Sequence, residues 1–586
     1  MVNITINKFS ISVPEGSTIL EAAEMADVHI PHLCYLKEVN EIGACRLCCV
    51  EVEGEEKLLP ACSNVVREGM NITTNSPRVR QACRTNLELI MSQHDSSCAT
   101  CVRSGNCQLQ NLANEFNIIS NPFEDDVPKG KMLNWNNRFP LIRNAAKCVK
   151  CMRCIQVCDK IQTMNVWDLV ATGSRTRIDV AGNRWIAKAD CTLCGQCITH
   201  CPVGALHERD DMQKVMMAVE DPEITTVVQI APAVRTAWGE SLGLPPEQAT
   251  VNKLAGVLRQ IGFDYIFDTS FSADLTIMEE ATEFIHRYTS GDLGDYPMFT
   301  SCCPGWVRFV KTQYPELVDN LSTSKSPQQM FGSVIKSYFA EKINVPASKI
   351  CVVSIMPCLA KKAECDLPTM KDSYGVDDVD YVLTSREVCR MIRAERINVE
   401  KCWESPFDKI MGDYTGAGVI FGATGGVMEA ALRTAYFTLT GKNPAPEAFR
   451  TVRDEGEPKK WRENVFKIND IELKVAVVSG LANARELCDA IVRGNVKYDF
   501  VEVMACPGGC AGGGGQPIHC DDVERARSRG KVLYKLDRSM PLRFSHENTD
   551  VQKLYNDYLG EPLSERAEEL LHTDHKAWEM NQNKNF

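Results

Sequence analysis

Residues Pro297-Met-Phe-Thr-Ser-Cys-Cys-Pro-Gly-Trp306 hold two adjacent cysteines, Cys302 and Cys303. Neighbouring residues of an extended segment point to opposite sides, so one thiol can bind a metal while the other faces a different space. Two motifs downstream supply further thiols, Ile355-Met-Pro-Cys-Leu-Ala-Lys-Lys362 and Val503-Met-Ala-Cys-Pro-Gly-Gly-Cys510. The chain around them reads as α/β. The runs 225–231, 349–355 and 474–479 have the character of buried strands, alternating with helical stretches. Each motif follows such a strand or its equivalent, where sites form beyond strand ends.

The chain is 586 residues long, more than one hydrophobic core usually serves, so several domains are expected. Its 28 cysteines far exceed a typical share. The start, Met1-Val-Asn-Ile-Thr-Ile-Asn-Lys-Phe9, lacks a basic region followed by an apolar run. No apolar run approaches the roughly 18 residues that span a bilayer. Many cysteines without an export signal read as metal ligands, because reducing compartments disfavour structural disulfides. A cytoplasmic protein is expected. The net charge of −12 argues against a nucleic-acid partner, which would need clustered Lys and Arg.

Residues 1–33 alternate apolar and polar over Val2, Ile4 and Ile6, then over Ile11 and Val13, which is two short strands and a turn. Thr18-Ile-Leu-Glu21 has capping-box spacing and opens a helix through Ala26. Strand, strand, helix is the start of a β-grasp domain. Cys34, Cys45, Cys48 and Cys62 follow it as C-x10-C-x2-C-x13-C. This resembles the [2Fe-2S] domain at the front of complex I-like chains, with a four-thiolate zinc site as the alternative. Next come His94, Cys98, Cys101 and Cys107 as H-x3-C-x2-C-x5-C. The spacing resembles a histidine-ligated [4Fe-4S] domain, again with zinc as the alternative.

An internal repeat occupies 148–201. Cys148, Cys151, Cys154 and Cys158 form one C-x2-C-x2-C-x3-C half, and Cys191, Cys194, Cys197 and Cys201 form the other. This is the two-cluster ferredoxin run, in which the fourth cysteine of each half binds the other cluster. Cys148, Cys151, Cys154 and Cys201 are thus expected to hold one [4Fe-4S], and Cys191, Cys194, Cys197 and Cys158 the second. Asp159 stands where the first half would carry proline.

The motifs T-S-C-C-P-x-W, M-P-C-x-x-K and M-A-C-x-x-G-C together resemble the three signatures of the iron-only ([FeFe]) hydrogenases. The resemblance implies a multidomain chain: a β-grasp [2Fe-2S] domain at 1–79, a small His/Cys [4Fe-4S] domain at 80–125 and a two-cluster ferredoxin-like α+β domain at 126–211. An α/β H-cluster catalytic domain at 212–544 and a C-terminal helical wrap at 545–586 complete it. It implies that Cys303, Cys358, Cys506 and Cys510 bind the [4Fe-4S] part of the H-cluster. Cys510 would bridge to a two-iron subcluster carrying CO, cyanide and a bridging dithiolate. Lys361 would donate to a cyanide, and Met356, Met504, Pro232, Ser326 and Gln328 would line the pocket.

Hydrogen chemistry also needs a route for protons. Cys302, facing away from Cys303, is its expected first member. A helix beginning near Asp274 would place Glu280, Glu283 and Arg287 on one face. With Ser322 the resemblance implies the order Cys302, Glu280, Ser322, Glu283, Arg287; a solvated charged stripe is the bland alternative for the outer two. Cys49, Cys83, Cys351, Cys365, Cys389, Cys402, Cys488 and Cys520 remain as core or incidental surface thiols. Gly416-Ala-Gly418 and Gly422-Ala-Thr-Gly-Gly426 lack a nucleotide fingerprint.

The expected activity is reversible H2 oxidation and proton reduction, fed through four accessory clusters. Expected partners are flavin- and NAD(P)-binding subunits of a multi-subunit, electron-bifurcating assembly, or else soluble ferredoxin, together with maturation proteins that insert the two-iron subcluster. A hydrogen sensor or an iron-sulfur assembly protein of the same fold is the rival from another class.

Overall fold

The computed structural model describes residues 1–123, 135–372, 375–453, 459–520 and 524–580. The expected boundary between 125 and 126 lies outside the described residues.

The N-terminal sheet runs in the order Phe9–Val13, Val2–Ile6, Asn71–Thr73, Cys49–Val52, Leu59–Pro60. The alternation read from the sequence holds: Ile4 and Ile6 face a core that also takes Ile19, Leu20, Ala22 and Ala23. Those four belong to the helix Ile19–Met25, which opens on the expected capping box, Thr18 receiving the Glu21 amide and Glu21 receiving the Thr18 amide.

The helix Pro77–Ser92 then leads to His94, and Gln108–Glu115 starts directly after Cys107. In the repeat region two short antiparallel pairs, Leu141–Arg143 with Leu206–Glu208 and Trp167–Val170 with Arg177–Val180, flank the cysteines. The short helices Arg153–Gln156 and Gln196–Thr199 each begin after a left-handed residue, Met152 and Gly195.

The remaining chain builds two four-stranded sheets. One is parallel throughout, in the order Tyr265–Asp268, Thr225–Ile230, Ile350–Met356, Tyr381–Thr384. Every residue of Ile350–Met356 is buried, as expected for a strand covered on both faces. The other runs Met298–Phe299, Phe500–Met504, Ile471–Ser479, Trp461–Ile468, with only the last strand antiparallel.

The helix between the sheets spans Ser270–Ser290, not from Asp274 as the sequence suggested. Its start is moved by Asp268, whose carboxylate accepts the Ser270 amide at 2.8 Å and serves the orphan donors of the first turn. Asp274 lies buried inside the helix, accepting from Thr415, Ser545 and Asn548.

The C-terminal wrap is helical over Ser545–Glu547, over Thr549–Leu554 continuing through Tyr555–Leu559 in a wider π-turn, and over Glu565–Leu571. Beyond it the chain straightens, and Ser324 bridges His572 as an antiparallel β-pair. Lys325 donates to the Leu571 carbonyl at 2.7 Å and Thr573 to the Thr323 carbonyl at 2.8 Å.

The repeat region is locked to the first sheet by buried ion pairs. Lys362 reaches Asp211 at 2.8 Å and Glu387 at 3.0 Å, and Glu208 takes Arg386 at 2.7 Å and Arg390 at 2.9 Å.

Candidate active site

Three strand ends deliver the signature motifs to one place. Cys303 sits at the N-cap of the helix Pro304–Gln313, just past Met298–Phe299. Cys358 follows Ile350–Met356, Cys506 follows Phe500–Met504, and Cys510 lies in the turn Gly509–Gly512. The Ala505 amide points at the Cys303 sulfur from 3.5 Å. Burial and then the neighbouring Cys303 push the Cys358 thiol up to about 11. Cys506 and Cys510 are raised further, by burial and by the other thiols of the group. Four thiols gathered out of water favour a cationic partner that takes them as thiolates.

The glycine-rich loop beside them has no room for side chains. A Cβ on Gly515 would sit 2.8 Å from the Pro357 carbonyl carbon and 2.9 Å from the Cys358 amide, and one on Gly513 would collide with the Pro357 carbonyl oxygen. The backbone itself is therefore the wall, and with four soft donors it fits an iron-sulfur cofactor. Among the described residues no three His, Cys, Asp or Glu side chains are set for a single metal ion. A cluster spreads its ligands over several irons, so the two observations agree.

Cys302 lies buried beside the group. Its thiol is held well above its usual range by burial first and by Glu280 second. Glu280 is fully buried, and burial followed by Glu283 pushes it up to about 8. Its oxygens make no well-formed hydrogen bond, yet the Ser301 amide and the Ser322 hydroxyl lie near enough to oppose that rise. Ser322 donates to Glu283 at 2.6 Å, and Arg287 pairs with Glu283 at 2.7 Å and reaches the Asp319 carbonyl at 3.3 Å. The five expected relay residues thus lie together, with Ser322 between Glu280 and Glu283.

Lys361 is buried against the same pocket, donating to the Cys302 carbonyl at 3.2 Å and to Glu364 at 3.0 Å. Burial alone would lower its pKa, but Glu364 holds it raised. Ser326 and Gln328 both donate to Glu364, at 3.0 and 3.2 Å, so these two expected pocket residues orient the carboxylate that anchors the lysine.

Met356 and Met504 are buried at the ends of their strands. Pro232 is buried at the start of a turn whose Ala233 carbonyl takes the Gln516 amide at 2.9 Å.

Sequence reasoning missed Glu364, although its spacing from Lys361 at i, i+3 was a signal. It also missed Glu502, fully buried, which takes the Gly425 and Met428 amides at 2.7 Å each and is pushed up to about 7 by burial. Cys365, read as incidental, accepts from Gln328 at 3.2 Å and donates to the Lys361 carbonyl at 3.4 Å.

The family "Iron only hydrogenase large subunit, C-terminal domain" matches residues 224–514, and "Iron hydrogenase small subunit" matches 523–578. The chain is 45% identical to "NADP-reducing hydrogenase subunit HndD" of Solidesulfovibrio fructosivorans, covering 98% of both chains. The chain belongs to the iron-only hydrogenases. This hydrogenase is also 39% identical to "Iron hydrogenase 1" of Clostridium pasteurianum, over 98% of its own length and 100% of the relative's. A solved structure of apo [FeFe]-hydrogenase HydA1 from Chlamydomonas reinhardtii superposes with a TM-score of 0.55 at 40% identity, covering 62% of this chain and 98% of that one.

The front of the hydrogenase matches a "2Fe-2S iron-sulfur cluster binding domain" over 1–77, an "NADH-ubiquinone oxidoreductase-G iron-sulfur binding region" over 84–122 and a "4Fe-4S dicluster domain" over 142–205. Within it the thiols of Cys45 and Cys62 lie close enough to Cys34 to shift its pKa, and that of Cys48 close enough to shift the pKa of Cys62. The spare Cys49 packs with Cys83 and Val79. His94 points Nδ1 at the Lys147 carbonyl from 3.1 Å; a proton donated there leaves Nε2 as the free electron pair.

In the repeat, Cys148, Cys151, Cys154 and Cys201 line one cavity, and after burial the thiols that raise Cys197 are Cys194, Cys191 and Cys158.

These sites adjoin one another. The buried Asn40 amide donates to the Cys34 carbonyl at 2.7 Å and the Cys151 carbonyl at 2.9 Å. Cys107 donates to the Pro202 carbonyl at 3.8 Å and Arg103 to the Cys201 carbonyl at 2.9 Å. Both front sites therefore abut the same repeat site. The second repeat site abuts the pocket: Gln196 donates to the Gly512 carbonyl at 2.9 Å, and a Cβ on Gly195 would lie 2.9 Å from the Gly514 Cα.

Proposed function

We propose that this hydrogenase interconverts H2 with protons and electrons at an H-cluster that Cys303, Cys358, Cys506 and Cys510 would hold. When bound, that group would supply the redox chemistry on H2. The chain's own residues do the rest. Lys361, anchored by Glu364, presents a point charge to the cofactor. Cys302 and Glu280 carry protons between it and Ser322, Glu283 and Arg287, the Ser322 hydroxyl standing between the two carboxyls. Glu280 suits that work, because a carboxyl pushed up to about 8 still holds its proton at neutral pH.

The observation that carries this reading is that the same thiol group adjoins both the repeat and the buried acids. Cys506 contacts the Cys194 carbonyl, and Cys302 interacts with Glu280 as well as with Cys303 and Cys510. Electrons and protons thus have separate approaches.

The accessory domains are assigned as at first: a β-grasp fold over 1–79 with [2Fe-2S] at Cys34, Cys45, Cys48 and Cys62, and one [4Fe-4S] on His94, Cys98, Cys101 and Cys107 within 80–125. Two more sit crossed within 126–211, the catalytic domain is 212–544 and the wrap 545–586. Electrons enter at either front site and converge on the Cys148, Cys151, Cys154, Cys201 cluster, then pass by the second repeat cluster to the pocket.

The likeness to the NADP-reducing subunit across nearly the whole chain supports a cytoplasmic catalytic subunit working with flavin- and NAD(P)-binding partners, in a bifurcating assembly. A stand-alone ferredoxin enzyme is the second reading, favoured by the likeness to the clostridial enzyme. Co-purification from the native host, with or without flavoprotein subunits, separates the two.

The test of the activity is H2 evolution by anaerobically matured protein with a reduced dye, wild type beside Cys302→Ala. The variant is expected to lose about 10²-fold or more with unchanged iron content. An inactive wild type with its two-iron subcluster spectroscopically confirmed would sink the enzyme and revive the sensor.

A further inference from the structure

The expected relay ends on Arg287, and that end is chemically awkward. A guanidinium does not give up its proton in a protein; what Arg287 does at 2.7 Å is pair with Glu283. A proton arriving at Glu283 needs a partner that titrates.

The C-terminal segment beyond the last helix supplies one. Paired with residues 323–325, it brings His572 to Thr323, whose hydroxyl contacts Glu283 at 3.2 Å and His572 Nδ1 at 2.8 Å. The other ring nitrogen, Nε2, meets Glu279 at 3.1 Å. Glu279 is fully buried on the same helix as Glu280 and Glu283, and is further held by the Leu563 amide at 2.9 Å and by the Tyr555 hydroxyl. The His572 side chain is 8% exposed.

We infer that His572 is the outer proton-holding residue of the relay, loaded from Glu283 through Thr323. This rests on the hydrogenase reading above. Thr323 has one proton and two partners. In one state Glu283 is a carboxyl that donates to the Thr323 oxygen, and Thr323 donates to Nδ1 of neutral His572, whose Nε2–H points to Glu279. In the other, the Glu283 O–H bond has broken as a new Thr323 O–H bond forms, and the former Thr323 O–H bond has broken as Nδ1–H forms. One proton has moved, leaving a Glu283 carboxylate paired with Arg287 and a His572 imidazolium paired with Glu279. The transfer thus turns Arg287 beside a neutral carboxyl and Glu279 beside a neutral imidazole into two opposite-charge pairs, Glu283 with Arg287 and His572 with Glu279.

The groups facing His572 are Glu279 and Tyr555 from their two helices and, across Thr323, Glu283 with Arg287. His575, three residues on, is turned to the Ser322 carbonyl at 2.8 Å instead.

Histidine-labelled full-length protein without the two-iron subcluster gives a readout independent of turnover. Among ten histidines, the His572 imidazole signals are assigned by their loss in His572→Gln. Glu279→Gln is expected to move the His572 titration curve to lower pH, because the carboxylate 3.1 Å from Nε2 is removed. Thr323→Val is expected to cut the response of His572 to Glu283→Gln.

In matured enzyme, His572→Gln is expected to displace the pH profile of H2 evolution and to slow turnover by about 10²-fold, with Cys302→Ala as the control for the inner relay. The proposal is overturned if His572 titrates identically with and without the Glu279 carboxylate, or if His572→Gln keeps the wild-type pH profile while Cys302→Ala abolishes activity. The latter result would leave the hydrogenase reading intact.

Discussion

The sulfur of Cys506 stands 3.6 Å from the backbone carbonyl of Cys194. One residue belongs to the candidate H-cluster pocket and the other to the nearer ferredoxin-like site, so the two cofactors' ligands touch without any intervening side chain. The close approach depends on Gly195 and Gly514, whose backbones lie against each other where any Cβ would intrude.

Gly195→Ala tests that contact. The residue is left-handed at φ +72°, and its new Cβ would sit 2.9 Å from the Gly514 Cα, so the two domains must separate. Electron delivery should suffer more than chemistry at the pocket. Dye-linked H2 oxidation is expected to fall about 10²-fold for a displacement near 1 Å, while exchange of H2 with D2O stays near wild type. Equal loss of both activities would show that the glycine contact serves folding alone.

Glu280→Gln separates proton holding from packing. Burial, and then Glu283, push the folded carboxyl up to about 8, far above the ordinary glutamate range. The folded chain therefore binds the proton more tightly. The resulting stability is fully present below about pH 4.5, declines as pH rises, and is gone above about pH 8, a change of a few kcal/mol. The glutamine variant lacks this decline, so its unfolding midpoint should exceed that of wild type by a margin that grows between pH 5 and 8. Glu502, pushed up to about 7, acts with the same sign in both proteins and cancels in the comparison. Parallel pH curves for the two proteins would refute a buried, proton-holding Glu280.

Lys361→Met leaves Glu364 with Ser326 and Gln328 as donors but without its buried cation. A loss of about 3–5 kcal/mol is expected on breaking one side of such a pair. The double variant with Glu364→Gln should recover most of that stability and none of the activity, as coupled neighbours do. Denaturant unfolding and H2 evolution on the three proteins decide it. If the single and double variants are equally unstable, the ion pair is not what Glu364 is for.

Much of the site was legible because an iron-sulfur ligand set is written locally. The spacings C-x2-C-x2-C and H-x3-C place several donors within one or two turns of chain, so the run from Cys148 to Cys154 or from His94 to Cys107 shows its chemistry before anything folds. The period-two alternation over Val2, Ile4 and Ile6 and the capping box at Thr18 were legible for the same reason: their determinants lie within a few residues.

What tertiary structure decided lies between segments far apart in sequence. Asn40 serves Cys34 and Cys151 at once, so the front site adjoins the repeat. His572 reaches Thr323 across 249 positions, through a β-pair that no periodicity announces. Asp268 starts the relay helix earlier than its apolar pattern implied.

The sequence by itself determined the family and the presence of iron-sulfur domains ahead of the catalytic one, because these rest on residue type and short spacing. Only the folded chain decided which segments touch, how Glu280 comes to be buried beside Glu283, and which groups stand around Thr323. Burial and long-range hydrogen bonding set those outcomes, and neither is a property of any short stretch.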